Sequence, residues 1–284
     1  MRILFVAVFN PSSTNYSQAN ALEKLGHTVV RYEYRERAAK IGAAARDAEI
    51  IELVKLCVDL VIFSKCDDVD HAVLDACNLV SKTCLWYMDT LVSWSSALED
   101  KIQKASFTAC AWKGPFEAAQ KLSDNVYWID EGYDSDVDMP SGKRKVFDVS
   151  FIGNPDGRRK KIIEDVGGVI ISDAYGHMHP KMVGKTKINL NFTRDGGSSD
   201  RVYKVLAARG FLLTEDYPGL SDRFVAGRDL YVFTDTKELK ELIEYFLKNE
   251  HMREGIANSG WKEVQKYTRL EWARKIVEAH NEVS

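Results

Sequence analysis

The chain opens on Arg2-Ile3-Leu4-Phe5-Val6-Ala7-Val8-Phe9, an unbroken apolar run from Ile3, and turns polar at Asn10-Pro11-Ser12-Ser13-Thr14. An apolar run without alternation suits a strand covered on both faces, the condition of a parallel sheet flanked by helices. A helix over roughly 16–25 that stops at Gly26, followed by extended residues 27–34, makes the opening unit β-loop-α-β. The same grammar repeats. Helix 44–56 leads into Val58–Phe63, helix 69–80 leads into Thr83–Met88, and shorter apolar runs follow at 106–111 and 125–129. Six strands alternating with helices predict a doubly wound α/β domain.

At 284 residues the chain is long enough for two domains of about 150 residues each. The polar, turn-prone segment from Asp134 to Lys145 carries a change of charge sign and reads as the linker. Beyond it the alternation restarts, with strands at 146–152, 168–172, 186–192, 210–214 and 230–233. Helices are expected at 157–165 and 199–208, and three more at 236–247, 250–265 and 269–282. The fold class is therefore α/β, two similar domains in tandem. Ligands of such sheets bind beyond the carboxyl ends of the strands, so a cleft between the domains is the expected site.

Charge divides along the same line. Residues 1–140 carry 14 Lys/Arg against 21 Asp/Glu, a net −7, and residues 141–284 carry 25 against 21, a net +4. The basic half suits an anionic ligand; the acidic half disfavours nucleic acid, whose phosphates need cations. Five cysteines, odd in number and never spaced C-x-x-C, argue against a disulfide framework or a cysteine zinc site and fit a reducing cytoplasm. The Ile3–Phe9 run falls far short of the 18 or so residues of a membrane span and lacks the pattern of an export signal.

The segment richest in chemistry is Lys187-Ile188-Asn189-Leu190-Asn191-Phe192-Thr193-Arg194-Asp195-Gly196-Gly197-Ser198-Ser199-Asp200-Arg201-Val202-Tyr203. A buried strand ends in a Gly-Gly-Ser-Ser loop and enters a helix, leaving backbone N–H groups open to an anion, with Arg194 and Arg201 on either side. The alternative is that Ser198 or Ser199 merely caps the helix and the arginines form surface ion pairs. A second loop, Gly153-Asn154-Pro155-Asp156-Gly157-Arg158-Arg159-Lys160-Lys161, places four cations at a helix start, where the macrodipole disfavours them. An anionic group nearby is expected, whereas Lys160 and Lys161 read as a solvated face.

These residues carry a resemblance. Phe151-Ile152-Gly153-Asn154, Lys187 to Asn191, Asp200-Arg201-Val202-Tyr203, Gly210-Phe211-Leu212-Leu213-Thr214-Glu215, Asp235 with Glu238-Leu239, and Ile256-Ala257 with Gly260 stand in the order and spacing of the donor domain of CgeB-type, spore-maturation-like glycosyltransferases. The first half matches only in style, through Arg2 to Phe9, Leu25-Gly26-His27, Trp86-Tyr87-Met88-Asp89 and Ile129 to Asp134. The resemblance implies a GT-B architecture: an acceptor-binding Rossmann-like domain over 1–140, a nucleotide-sugar domain over 141–266, and a final helix, within 267–284, returning to the first domain. It implies a nucleotide-sugar co-substrate, most commonly UDP-linked in the wider class, with no cofactor or metal required. Donor-binding residues would be Gly153, Asn154, Arg158, Tyr175, Asn191, Arg194, Ser198, Ser199, Arg201 and Lys204.

One position departs from the pattern. Many retaining enzymes of this architecture carry two glutamates eight positions apart, one of them holding the ribose; the corresponding residues here are Lys204 and Leu212. A charged lysine only donates, so it is expected to meet phosphate or a carboxylate such as Glu215 instead.

Cations can stabilise a departing diphosphate, and an inverting transfer also needs a base beside the acceptor hydroxyl. Asp89, at the end of the strand Thr83–Met88, is the first candidate base, with a turn or helix cap as its alternative role. Asp130 and Glu131 are further catalytic candidates, and Asn10, Ser12 and Ser13 are expected to bind the acceptor. His177 and His179 lack the partners of a metal site and are placed in a loop with Tyr175, close to where a nucleobase stacks. The acceptor class stays open among polysaccharide precursors, small molecules and hydroxymethylated bases of viral DNA, so nucleic acid remains a candidate partner. A nucleotide-sugar epimerase and a non-catalytic binding module are the competing functions.

Overall fold

The computed structural model describes residues 1–10 and 13–283 and divides the chain into two compact units. Unit 1 comprises residues 1–131, 195–197 and 269–284; unit 2 comprises 132–194 and 198–268. Each unit is an α/β sandwich built on one parallel sheet.

In unit 1 the sheet order is β2-β1-β3-β4-β5-β6, from β1 (Arg2–Ala7), β2 (Thr28–Glu33), β3 (Leu60–Ser64), β4 (Lys82–Tyr87), β5 (Phe107–Cys110) and β6 (Val126–Trp128). The central strands are buried along their lengths because helices cover both faces, which is why they read as continuous apolar runs rather than alternating ones. The connecting helices are α1 (Thr14–Lys24), α2 (Tyr34–Ile41), α3 (Ala43–Val54), α4 (His71–Asn78), α5 (Ser96–Lys104) and α6 (Lys113–Ala119). Strand order reverses between β1 and β3, so the loops after these two strands flank the ligand crevice typical of such sheets.

Unit 2 has the order β11-β10-β9-β7-β8, from β7 (Phe147–Ile152), β8 (Val169–Ile171), β9 (Thr186–Asn191), β10 (Leu212–Glu215) and β11 (Tyr231–Phe233). Its helices are α7 (Gly157–Asp165), α8 (Met178–Lys185), α9 (Arg201–Ala207), α10 (Thr236–Lys248) and α11 (Glu250–Val264). Here the reversal lies between β7 and β9, whose following loops are the two cation-bearing segments singled out above.

The last helix, α12 (Arg269–Glu282), belongs to unit 1. It buries Trp272, Ala273, Ile276 and Ala279 against α1 and the sheet, with the Trp272 ring centroid 5.5 Å from that of Trp86 and 6.2 Å from that of Phe5. Lys82 ties its end down by donating to the His280 carbonyl at 3.2 Å. All five cysteines are free thiols, four of them buried. No helix among the described residues is long and apolar enough to cross a membrane.

Two expectations need correction. Residues 34–41, the first of them expected as extended, form α2; Glu33 starts that helix by accepting from the Glu36 N–H, and Arg37 braces it through a two-pronged bond to Glu49. The region of His177 and His179, expected as a loop, is largely helical, because Pro180 occupies the third position of α8, in the first turn where a missing N–H costs nothing.

Candidate functional site

In unit 2 the site is built from the carboxyl ends of β7, β9 and β10. Arg201, the first residue of α9, turns back under the loop after β7: its Nε donates to the Ile152 carbonyl at 2.8 Å, and Nη1 donates to Asn191 Oδ1 at 3.0 Å and Ser199 Oγ at 3.1 Å. The guanidinium lies over the Phe151 ring, 4.3 Å from its centroid. No carboxylate among the described residues comes within ion-pair distance of it. Burial, only partly offset by Asp200, pushes its pKa down to about 10. The bonded partners of this cation are all neutral.

Gly153 sits beside that cation with φ +136°, and a Cβ added there would come 2.7 Å from Arg201 Nη2. Both the backbone conformation and the space demand glycine. Asn191 is fully buried and fully used: its amide donates to Ser198 Oγ at 2.8 Å and Thr214 Oγ1 at 2.9 Å while its oxygen accepts from Arg201. Ser198 and Ser199 thus orient the amide and the guanidinium. Neither caps α9, whose N-cap position is Asp200 without a side-chain bond, so the capping alternative does not hold.

The other expected donor residues divide into engaged and open. Arg158 makes a two-pronged pair with Glu215, 2.8 to 2.9 Å, and Glu215 also accepts from Thr193 N at 2.8 Å and Thr193 Oγ1 at 3.1 Å. Burial works to raise the Glu215 pKa, but the Arg158 bond and the Thr193 N–H outweigh it and hold the carboxyl below its usual range. Contrary to the expectation that Lys204 meets a carboxylate such as Glu215, it pairs with Asp200 one turn earlier at 2.7 Å. Arg194, Asn154 and Tyr175 are exposed, and Arg194 is in no ion pair among the described residues. The charge problem at the start of α7 is solved locally, since Asp156 caps the helix through the Arg159 N–H and pairs with the Arg159 guanidinium at 3.0 Å. Lys160 is solvent-exposed as expected.

His179 is buried on α8, with Nδ1 4.0 Å from Asp138 Oδ1. That carboxylate would favour the imidazolium, yet burial followed by the Lys204 charge dominates and pulls the pKa down to about 3. The ring is neutral at working pH and belongs to the packing of the unit. No group of three or more metal-ligating side chains occurs among the described residues.

The Gly196-Gly197 pair does different work from the one expected. Residues 195–197 group with unit 1, where Leu91 N donates to the Asp195 carbonyl at 2.9 Å and Gly114 N to the Gly196 carbonyl at 3.2 Å. A Cβ on Gly197 would come 2.6 Å from the Trp112 ring. These glycines admit protein to their backbone.

In unit 1, Asp89 follows β4 and is half-buried, paired to Lys65 at 2.7 Å. Lys65 follows the neighbouring strand β3 and was missed in the sequence, although the pairing of Ser64 with Trp86 sets it opposite Tyr87, two residues before Asp89. Asp130 and Glu131 are 5% and 6% exposed and face α12: Lys275 lies 3.9 Å from Asp130, and Arg269 bonds the Glu131 carbonyl and lies 3.8 Å from its carboxylate. Their burial gives them the work of seating that helix. Ser13 caps α1, accepting from Tyr16 N at 3.3 Å and donating to the Val8 carbonyl at 3.0 Å; Asn10 is exposed beside it, and Ser12 lies outside the described residues.

Residues 143–278 match the family model described as glycosyl transferase-like. Over 99% of both chains the structure is similar to that of Anabaena Alr3699/HepE in complex with UDP-glucose, at 11% identity and a TM-score of 0.72. Residues 143–278 are thus glycosyl transferase-like, and the chain has the GT-B fold. A glycosyltransferase from Rickettsia africae ESF-5 is similar over 99% of this chain and 98% of that one, at 11% identity and a TM-score of 0.72. The lipopolysaccharide outer core galactosyltransferase WaaB, in its apo form, is similar over 98% and 99%, at 10% identity and a TM-score of 0.67. No curated protein sequence matches the chain. The epimerase alternative finds no support among these neighbours.

Proposed function

We propose that the protein transfers a glycosyl group from a UDP-linked sugar to an acceptor hydroxyl, as a CgeB-type member of its fold class, without requiring a metal. The observation that carries this reading is Arg201, a sheltered guanidinium with no carboxylate partner, at the strand-order reversal of unit 2. There it meets the diphosphate, with the exposed Arg194 as a second cation. Cationic side chains supply the charge stabilisation that a departing diphosphate needs. Asn191, Ser198 and Ser199 orient Arg201, Gly153 leaves room for it, and the exposed Tyr175 offers its ring to the base. Arg158 is tied to Glu215, and its role is to hold the β10 end in place until a ligand competes for it. The UDP-glucose bound to HepE supports the choice of nucleotide.

Asp89 is the proposed base, accepting the acceptor's proton, with Lys65 keeping the carboxylate aimed. Five free thiols fit a cytoplasmic setting. The acceptor class remains the one open at the sequence level, and the acidic balance of unit 1 weighs against DNA.

Incubating the full chain with a panel of UDP-sugars and analysing products tests this reading. Release of UDP with free or transferred sugar is expected. Isomerised sugar without release would replace it with the epimerase, and binding without any turnover across broad acceptors would replace it with a binding module.

A further inference from the structure

A second group of cations lies at the opposite end of the unit 2 sheet from Arg201. Lys145 precedes β7, Lys187 is the second residue of β9, and Arg209 closes the turn from α9 into β10, so all three stand at the amino ends of strands. Together with the first half of α11 they surround a cavity of about 220 Å³. Phe211 and Ala257, both buried, give it an apolar wall.

The charges in this cavity are poorly neutralised. Arg253 is 6% exposed, and its bonds, to the Phe246 and Leu247 carbonyls, both use Nη1. That contact explains part of its burial, since the last carbonyls of α10 carry partial negative charge. Its Nε and Nη2 have no bonded partner among the described residues. Arg209 and Lys145 likewise have no carboxylate within ion-pair distance among the described residues, whereas Lys187 is taken by Asp148 at 2.6 Å. Lys145 donates only to the Thr186 carbonyl at 2.8 Å. Burial, with the Arg253 charge beside it, lowers the Lys145 pKa despite Glu254 and Glu250.

We propose that this cavity is a second anion site, remote from the diphosphate site, and that it takes a small sugar or polyol phosphate. Two guanidinium groups and an ammonium match the terminal oxygens of a phosphomonoester. Glu250 and Glu254 at the rim accept from hydroxyls, and the Phe211 wall covers a short carbon chain. The volume admits a phosphate with a few carbons.

The test uses the full chain carrying Arg201→Ala, so that the diphosphate site is disabled and the two sites are read separately. Inorganic phosphate, glycerol 3-phosphate and glycerol are titrated by calorimetry. Glycerol 3-phosphate should bind more tightly than inorganic phosphate, and glycerol should not bind. Adding Arg209→Ala or Lys145→Gln should weaken glycerol 3-phosphate at least tenfold; both positions are exposed at the level of the residue, so the fold is kept. Absence of phosphomonoester binding, or affinity unchanged by both substitutions, overturns the site. Equal affinity for inorganic phosphate and glycerol 3-phosphate overturns its assignment to a polyol phosphate.

Discussion

At the scale of single residues, the proposed function gives Arg201 to a ligand rather than to the fold. Every group it touches is neutral: a backbone carbonyl, an amide oxygen, a hydroxyl and an aromatic face. Replacing it by alanine strands no carboxylate but leaves the buried Asn191 Oδ1 without its donor, so a stability loss of about 1–3 kcal/mol should accompany the loss of the ligand anion's partner. His179 makes the opposite case. Its folded pKa, about 3, lies below the ordinary 6.5, so the unfolded chain binds more protons between these values. The stability it contributes is complete above pH 6.5 and is lost as pH falls toward 3. Urea unfolding at pH 7 and pH 5 should show the wild type losing about 2 kcal/mol relative to His179→Leu over that step; parallel losses would show that the ring is not held neutral. Asp89 is testable by kinetics. Asp89→Asn should lower kcat by about 10²- to 10⁴-fold, the usual worth of a positioned base, with donor affinity unchanged; an unaltered kcat would leave Asp89 as a turn residue paired to Lys65.

Elements were legible in proportion to how strongly their burial shaped the sequence. The continuous apolar runs of β1, β3, β4 and β9 declared a parallel sheet because both faces of those strands are covered. The amphipathic α10 and the capped α7 were equally readable. α2 and α8 were not: α2 buries only Tyr34 and is held by polar bonds, and α8 carries Pro180 and Gly184. Of the site, the two loops after β7 and β9 were visible as cation-rich turns, but which atoms were spoken for was not. Nothing in the spacing of Gly196 and Gly197 tells phosphate from the Trp112 ring, and nothing in the order of Lys204 and Glu215 reveals that Asp200 and Arg158 claim them first. Likewise Asp130 and Glu131 read as chemistry until α12 is seen to cover them. Arg269→Ala should destabilise unit 1 by about 3 kcal/mol, because it leaves the buried Glu131 without its cation. Glu131→Gln should leave donor binding intact; a loss of binding there would return Glu131 to the catalytic candidates.

On the scale of the whole molecule, near-neutrality conceals two unlike units, and the excess of cations in the second half is what a diphosphate requires. GT-B neighbours at 11% identity share the fold over almost their full lengths, so it is the fold, and not the sequence, that this chain has in common with them. In the proposed function the activity rests on a few placed groups, with Arg201 as the central one. Calorimetric titration of UDP and UDP-glucose into the wild type and Arg201→Ala is the most direct examination of that claim. Binding by the wild type, weakened about ten- to hundredfold in a variant that still unfolds cooperatively, is the predicted result, since a hydrogen bond to a charged group is worth about 1.5–3 kcal/mol. Equal affinity in both proteins, or no binding by the wild type, would contradict it.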